Sequence, residues 1–216
     1  MREIVFALLG AASGFKAIQR ARIDIERYRR NGETFGESHF SDYQISTVLS
    51  VVVGAGLYAA MAHQFSHDLT ALTYGVFVGA GMWLAIIDID THLLPRRIVY
   101  RTIALALPLL ILAAIFDDAG SVIGMFIGGF SLWVFLRVCE VLSRGGIGGG
   151  DVALAGLLGM YLGWLSYEAV VVAVLAAFVL GGVFAAILLV LRRANRGTRI
   201  AFGPFLIAGA LIAVLR

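Results

Sequence analysis

The sequence predicts an all-α, polytopic membrane helix bundle of about eight transmembrane helices, and three observations carry that expectation. Of 216 residues, 60% are hydrophobic and 14% charged, with mean hydropathy +0.92, against an apolar share of about 45–50% in soluble domains. The apolar residues gather into eight helix-length runs, at 4–19, 43–62, 69–88, 99–116, 122–142, 152–165, 169–191 and 200–215. The first and sixth are short beside the ~17–25 residues of a typical span. Finally, the segments between runs alternate in charge.

Taken in order, the first run is followed by Lys16, Arg20, Arg22, Arg27, Arg29 and Arg30, and the third by Arg96, Arg97 and Arg101. Arg137 and Arg144 lie near the end of the fifth, and Arg192, Arg193, Arg196 and Arg199 follow the seventh. The opposite side carries His63, His67, Asp68, Asp117, Asp118 and Glu168, with only Arg2 and Arg216 as basic residues. Positive charge marks the cytoplasmic side of a membrane protein, so both termini are expected outside and the protein in the inner (cytoplasmic) membrane. The net charge of +3 and pI near 9.3 then reflect orientation and not nucleic-acid binding. The single cysteine, Cys139, excludes a disulfide or a cysteine-ligated zinc within one chain. Small residues Ala11, Ala12, Ser13 and Gly14 give the first run the look of a signal peptide, but its basic cluster follows the apolar stretch, which favours a retained helix. Residues 1–42 are expected to form that helix and a short loop, and 43–216 the membrane-embedded core. An amphipathic helix through Ile23, Arg27 and Arg30 can open the loop, with Asn31 and Gly32 halting it.

Glycines recur four apart at Gly75 and Gly79, Gly124 and Gly128, and Gly159 and Gly163. Such spacing lets helix backbones approach closely in lipid. Two of these small-residue faces carry an acid: Asp151 precedes Ala155, Gly159 and Gly163, and Asp88 follows Gly81 and Ala85. Both acids fall at the basic, cytoplasmic level. Carboxylates in a membrane segment are costly and usually functional. Two in one low-dielectric pocket share a proton, so one can deprotonate water while the other protonates a scissile carbonyl. Pro95 turns the chain after Asp88. Gly145, Gly146, Gly148, Gly149 and Gly150 leave the backbone before Asp151 open to an extended peptide. Asp90 rivals Asp88, about 200° round the helix, and helix geometry alone leaves that choice open.

The segment Asp88-Ile-Asp-Thr-His-Leu-Leu-Pro95 resembles the first signature of type IV prepilin peptidases, Gly148-Gly-Gly-Asp151 resembles their GxGD signature, and Phe202-Gly-Pro-Phe205 their C-terminal element. The resemblance implies an eight-helix membrane aspartic endopeptidase with Asp88 and Asp151 catalytic. It places Pro95, Gly148, Gly149, Gly150, Phe202, Gly203 and Pro204 in the substrate-binding loops. It further implies no metal or cofactor, and as partners the bilayer and membrane-inserted prepilin or pseudopilin precursors, cut at a cytoplasmic leader. Three positions depart from the family pattern. Ala153 stands where a lysine is common, Arg96 where Asp or Asn usually follows the Leu-Pro, and the first loop has no paired cysteines, which argues against methyltransferase activity. Glu33, Glu37 and Asp42 in that loop are placed to attract a basic leader.

Other readings compete. Asp151 is also a good helix-initiating residue. Gly148, Gly150 and Ala153 fit a nucleotide-binding G-x-G-x-x-A, but without the strand such a motif needs. His63, His67 and Asp68 form a possible outer metal site, whereas Arg137 and Glu140, three apart, are expected to pair. A small ion-coupled transporter, whose acids belong nearer mid-membrane, and a non-catalytic pilin-binding protein are the functional alternatives.

Overall fold

A computed structural model describes residues 1–32, 40–143, 147–192 and 201–216. The expectations for Glu33, Glu37, Arg144, Gly145, Gly146, Arg193, Arg196 and Arg199 lie outside the described residues. Within them the secondary structure is helical throughout: α1 (Arg2–Arg30), a 3-10 turn (Phe40–Asp42), α2 (Gln44–Gln64), α3 (Asp68–Thr91), α4 (Arg96–Phe116), α5 (Val122–Leu142), α6 (Gly149–Leu165), α7 (Tyr167–Val190) and α8 (Gly203–Leu215). The polytopic helix bundle expected from hydropathy is therefore what the chain forms. Six of the helices are long and apolar enough to cross a membrane, while α6 and α8 are shorter.

The largest departure is α1, which runs without a break to Arg30 instead of ending near Gln19. Its mean hydropathy falls beyond that point, yet Ile18, Ala21 and Ile25 continue an apolar stripe at three- and four-residue spacing, and all three are buried. The expected stop is real: Asn31 caps the helix and Gly32 takes φ +67°. Likewise α3 continues one turn past Asp88, ending at Thr91 with His92 left-handed (φ 51°), and Pro95 caps α4.

Contacts between helix termini define two ends of the bundle. At one end Arg2 bonds Asp68 (2.5 Å) and the Phe65 carbonyl (2.8 Å), Glu3 meets His63 (3.2 Å), and Thr70 donates through N and Oγ1 to Asp117. His63 and Asp68 thus face partners on α1. At the other end Arg22 reaches the Ser41 carbonyl and Thr47, Arg96 reaches the Gly149 carbonyl, and the Gly203 amide reaches Asp88. These are the two sides that the charge alternation predicts.

Glycines set the spacing between helices. A Cβ on Gly128 would lie 2.5 Å from the Gly159 carbonyl oxygen, and one on Gly163 2.3 Å from that of Gly124, so α5 and α6 meet backbone to backbone. The same device, through Gly10, Gly14 and Gly54, joins α1 to α2. The sequence carries that signal in Gly10 and Gly14, again four apart. As α6 is buried on nearly every side, it needs no lipid-facing stripe. By contrast α7 buries only Ala169, Ala173 and Ala177, the last two against Gly209 of α8, and turns its large apolar residues outward. At the end remote from Asp88, Tyr74 donates to the Tyr161 carbonyl (2.8 Å), Tyr161 to that of Thr73 (3.2 Å), and Trp164 to that of Leu110 (3.0 Å). These three bonds fix α6 against α3 and α4, and so fix the height at which α6 begins.

Candidate active site

Asp88, Asp90 and Asp151 are all buried, at 4%, 0% and 9% exposure, so each needs a physical account. Asp90 has a structural one. Its two oxygens accept the amides of Phe40 (2.9 Å) and Ser41 (3.0 Å), and the Arg29 guanidinium stands 3.9 Å away. It anchors the 3-10 turn that leads into α2. Asp90→Ala is expected to speed amide exchange at Phe40 and Ser41 about tenfold or more, as measured by hydrogen exchange, because two charge-assisted bonds are lost.

Asp88 points to a different neighbour. Its Oδ2 accepts the Gly203 amide at 3.0 Å, at the first turn of α8, where helix N–H groups lack intrahelical partners. Pro204 follows there, suited to that turn because it has no N–H to satisfy, and Phe202 packs on Phe178 of α7 with ring centroids 5.3 Å apart. Gly81, two turns earlier on α3, abuts Ile207 of α8. The glycine at 203 is required by space: a Cβ there would lie 2.4 Å from Leu94 Cδ1 and 2.7 Å from Asp88 Oδ2.

Asp151 occupies the third position of α6, and its Oδ2 accepts the Gly148 amide (3.1 Å). The helix-initiating role is thus present, but it engages one oxygen only. Asp151 Oδ1 is buried and has no hydrogen-bond partner among the described residues, an expensive arrangement in a site with no use for it.

Leu94 links the two segments that hold the acids' amide partners and neighbours. Its side chain packs on Gly203, beside Asp88, while its carbonyl oxygen lies where a Cβ on Gly150 would come within 2.3 Å. The glycines before Asp151 therefore have an internal use: Gly150 admits Leu94, and Gly149 admits the Arg96 guanidinium, whose Nε donates to the Gly149 carbonyl (3.1 Å). Thr91 supports the turn, donating to the Ile87 carbonyl (2.7 Å) and accepting the Leu93 amide (3.3 Å).

Beside Gly149, a cavity of about 290 Å³ is lined by Arg96, Tyr100, Trp133, Arg137, Glu140, Val152 and Ala153. The expected pairing of Arg137 with Glu140 is found there. Sequence reasoning singled out Arg96 and Ala153 separately, without a signal that they share a cavity, and it missed Tyr100 and Trp133, which read as ordinary lipid-facing aromatics. Among the described residues no group of three or more His, Cys, Asp or Glu is placed to hold a metal ion.

Comparison with known proteins gives a consistent picture. Residues 75–186 match the model of the type IV leader peptidase family. Proteins named prepilin leader peptidase/N-methyltransferase are similar: that of Bacillus subtilis is 27% identical over 76% of this chain and 63% of its own length. That of Pseudomonas aeruginosa is 34% identical over 67% of this chain and 47% of its own length. That of Escherichia coli is 32% identical over 76% of this chain and 71% of its own length. The chain thus spans about half to two thirds of the length of these relatives. No solved structure matches.

Proposed function

Since the chain belongs to the type IV leader peptidase family, we infer that it is an integral-membrane aspartic endopeptidase that removes the cytoplasmic leader of type IV prepilin-like precursors, with Asp88 and Asp151 as the catalytic pair. The observation that carries this reading is the placement of the two acids. Asp88 and Asp151 are buried, come from distant parts of the chain, each have one oxygen fixed by a backbone amide, and stand beside Gly203 and Gly150, the two glycines that Leu94 touches.

In this reading the amides from Gly203 and Gly148 orient the carboxylates, so that little reorganisation is needed at the moment of reaction. The free Oδ1 of Asp151 accepts a proton from water as the water oxygen attacks the scissile carbonyl carbon, and protonated Asp88 gives its proton to the carbonyl oxygen. The C–N bond of the tetrahedral intermediate then breaks as the amine nitrogen takes the proton from Asp151. Asp88 recovers its own from the intermediate's hydroxyl, leaving the new carboxyl and amine termini. The basic end of the bundle is the cytoplasmic one by the positive-inside rule, so a leader enters there while its apolar helix stays in the bilayer.

The test is co-expression of a prepilin precursor with this protein, followed by the mobility shift of the shortened product. A wild-type protein that leaves every cognate precursor uncut in lipid overturns the proposal. Arg96→Ala is expected to lower cleavage about two- to tenfold, the worth of one hydrogen bond holding Gly149, with the helical content of the purified protein unchanged by circular dichroism.

A further inference from the structure

About 140° round α3 from Asp88, Trp83 sits in a groove that the catalytic proposal does not use. Two cavities, of about 370 and 480 Å³, are formed by α1, α3 and α4 and share Arg20, Trp83, Thr102 and Leu105. One follows α1 inward to Leu9, past Ala12 and against Val76 and Ala80, about 16 Å along the helix axis from Arg20. The other opens towards Arg101 at the basic end.

The chemistry changes along its length. The inner part is walled by small and aliphatic side chains together with Tyr58, whose hydroxyl is taken up by Ser13 (3.0 Å). The rim holds three cations, Lys16, Arg20 and Arg101, and one acid, Asp24, which faces Arg27 at 3.8 Å. The Arg20 guanidinium lies 5.4 Å over the Trp83 ring. Trp83 Nε1 is buried with no acceptor among the described residues, although buried indole N–H groups ordinarily find one.

We propose that this groove binds one acidic glycerophospholipid of the leaflet at the basic end, with the phosphate held by Arg20, Arg101 and Lys16 and an acyl chain along Leu9, Ala12, Val76 and Ala80. Charge selects the headgroup and the apolar inner wall selects a tethered chain. An ester carbonyl or phosphate oxygen supplies the acceptor that Trp83 lacks, with a rotation of Arg20 that an exposed arginine makes readily.

The test uses the full chain carrying Trp133→Phe, which removes the exposed tryptophan and leaves Trp83 and the buried Trp164. Reconstituted in phosphatidylcholine bilayers, it is titrated with phosphatidylglycerol or phosphatidylcholine brominated on the acyl chains, and tryptophan quenching is read. Half-quenching is expected at a mole fraction of the brominated phosphatidylglycerol more than about tenfold lower, since each of the three basic residues contributes about fivefold to binding an acidic headgroup. Arg20→Gln with Arg101→Gln should reduce that difference to about fivefold or less, the share of Lys16, while leaving helical content unchanged. Trp83→Phe should remove the selective quenching, and millimolar inorganic phosphate should not. Equal quenching by the two lipids, an undiminished preference in the folded double variant, selective quenching that survives Trp83→Phe, or its abolition by free phosphate would each overturn the proposal.

Discussion

Asp88→Asn and Asp151→Asn are each expected to lower leader cleavage by about 10²–10⁴-fold, the range lost when a positioned proton-transfer group is removed. Asparagine keeps the size and one acceptor oxygen, so Gly203 and Gly148 retain their hydrogen bonds and the bundle remains assembled. What is lost is the proton that the pair passes between water and carbonyl. The two losses should be nearly equal, and the double variant should be little worse than either single one, because the residues act as a unit. Asp90→Asn is the internal comparison: it keeps an acceptor for the 3-10 turn and should retain activity within about tenfold, the worth of one weakened bond. The readout is the initial rate of precursor shortening in proteoliposomes. Full activity in either Asp88→Asn or Asp151→Asn would sink the paired mechanism, whereas a larger loss in Asp90→Asn than in Asp88→Asn would move the chemistry to the wrong carboxylate.

Gly128→Ala combined with Gly163→Ala is expected to destabilise the bundle strongly. The new Cβ atoms would lie 2.5 Å from the Gly159 carbonyl oxygen and 2.3 Å from that of Gly124. Backbone atoms cannot swing aside as a flexible side chain can, so α5 must move away from α6. Overpacking typically costs about 1–3 kcal/mol per site, and two neighbouring sites on one seam leave little room for relaxation. A fall in detergent-solubilised melting temperature is the expected result, with Gly56→Ala as control because nothing lies within 4 Å of its Cβ position. An unchanged melting temperature in the double variant would mean that the two backbones are not in contact.

Hydropathy made the bundle legible because lipid enforces it: apolar runs must become helices when no water is present to satisfy the backbone. It misjudged α1 because averaging over a window hides an amphipathic stripe, and Ile18, Ala21 and Ile25 are visible only when helix periodicity is followed through the arginines. Both candidate acids stood out from their position at the edges of apolar segments. Helix geometry did not choose between Asp88 and Asp90, and the choice of Asp88 came from the resemblance alone; what the two acids meet across the bundle differs, α8 for one and the 3-10 turn for the other. Leu94 was hidden for the same reason. A leucine beside a proline carries no local sign that its carbonyl rests on one glycine and its side chain on another, far along the chain.

The bond from Gly203 to Asp88 also says something about timing. Both acids are already present in a nascent chain extended as far as Leu191, but the amide that holds Asp88 comes only with α8, which is made after both of them. A growing polypeptide therefore carries both carboxylates before the amide that orients Asp88 exists, and under the proposed mechanism synthesis of α8 completes the pair.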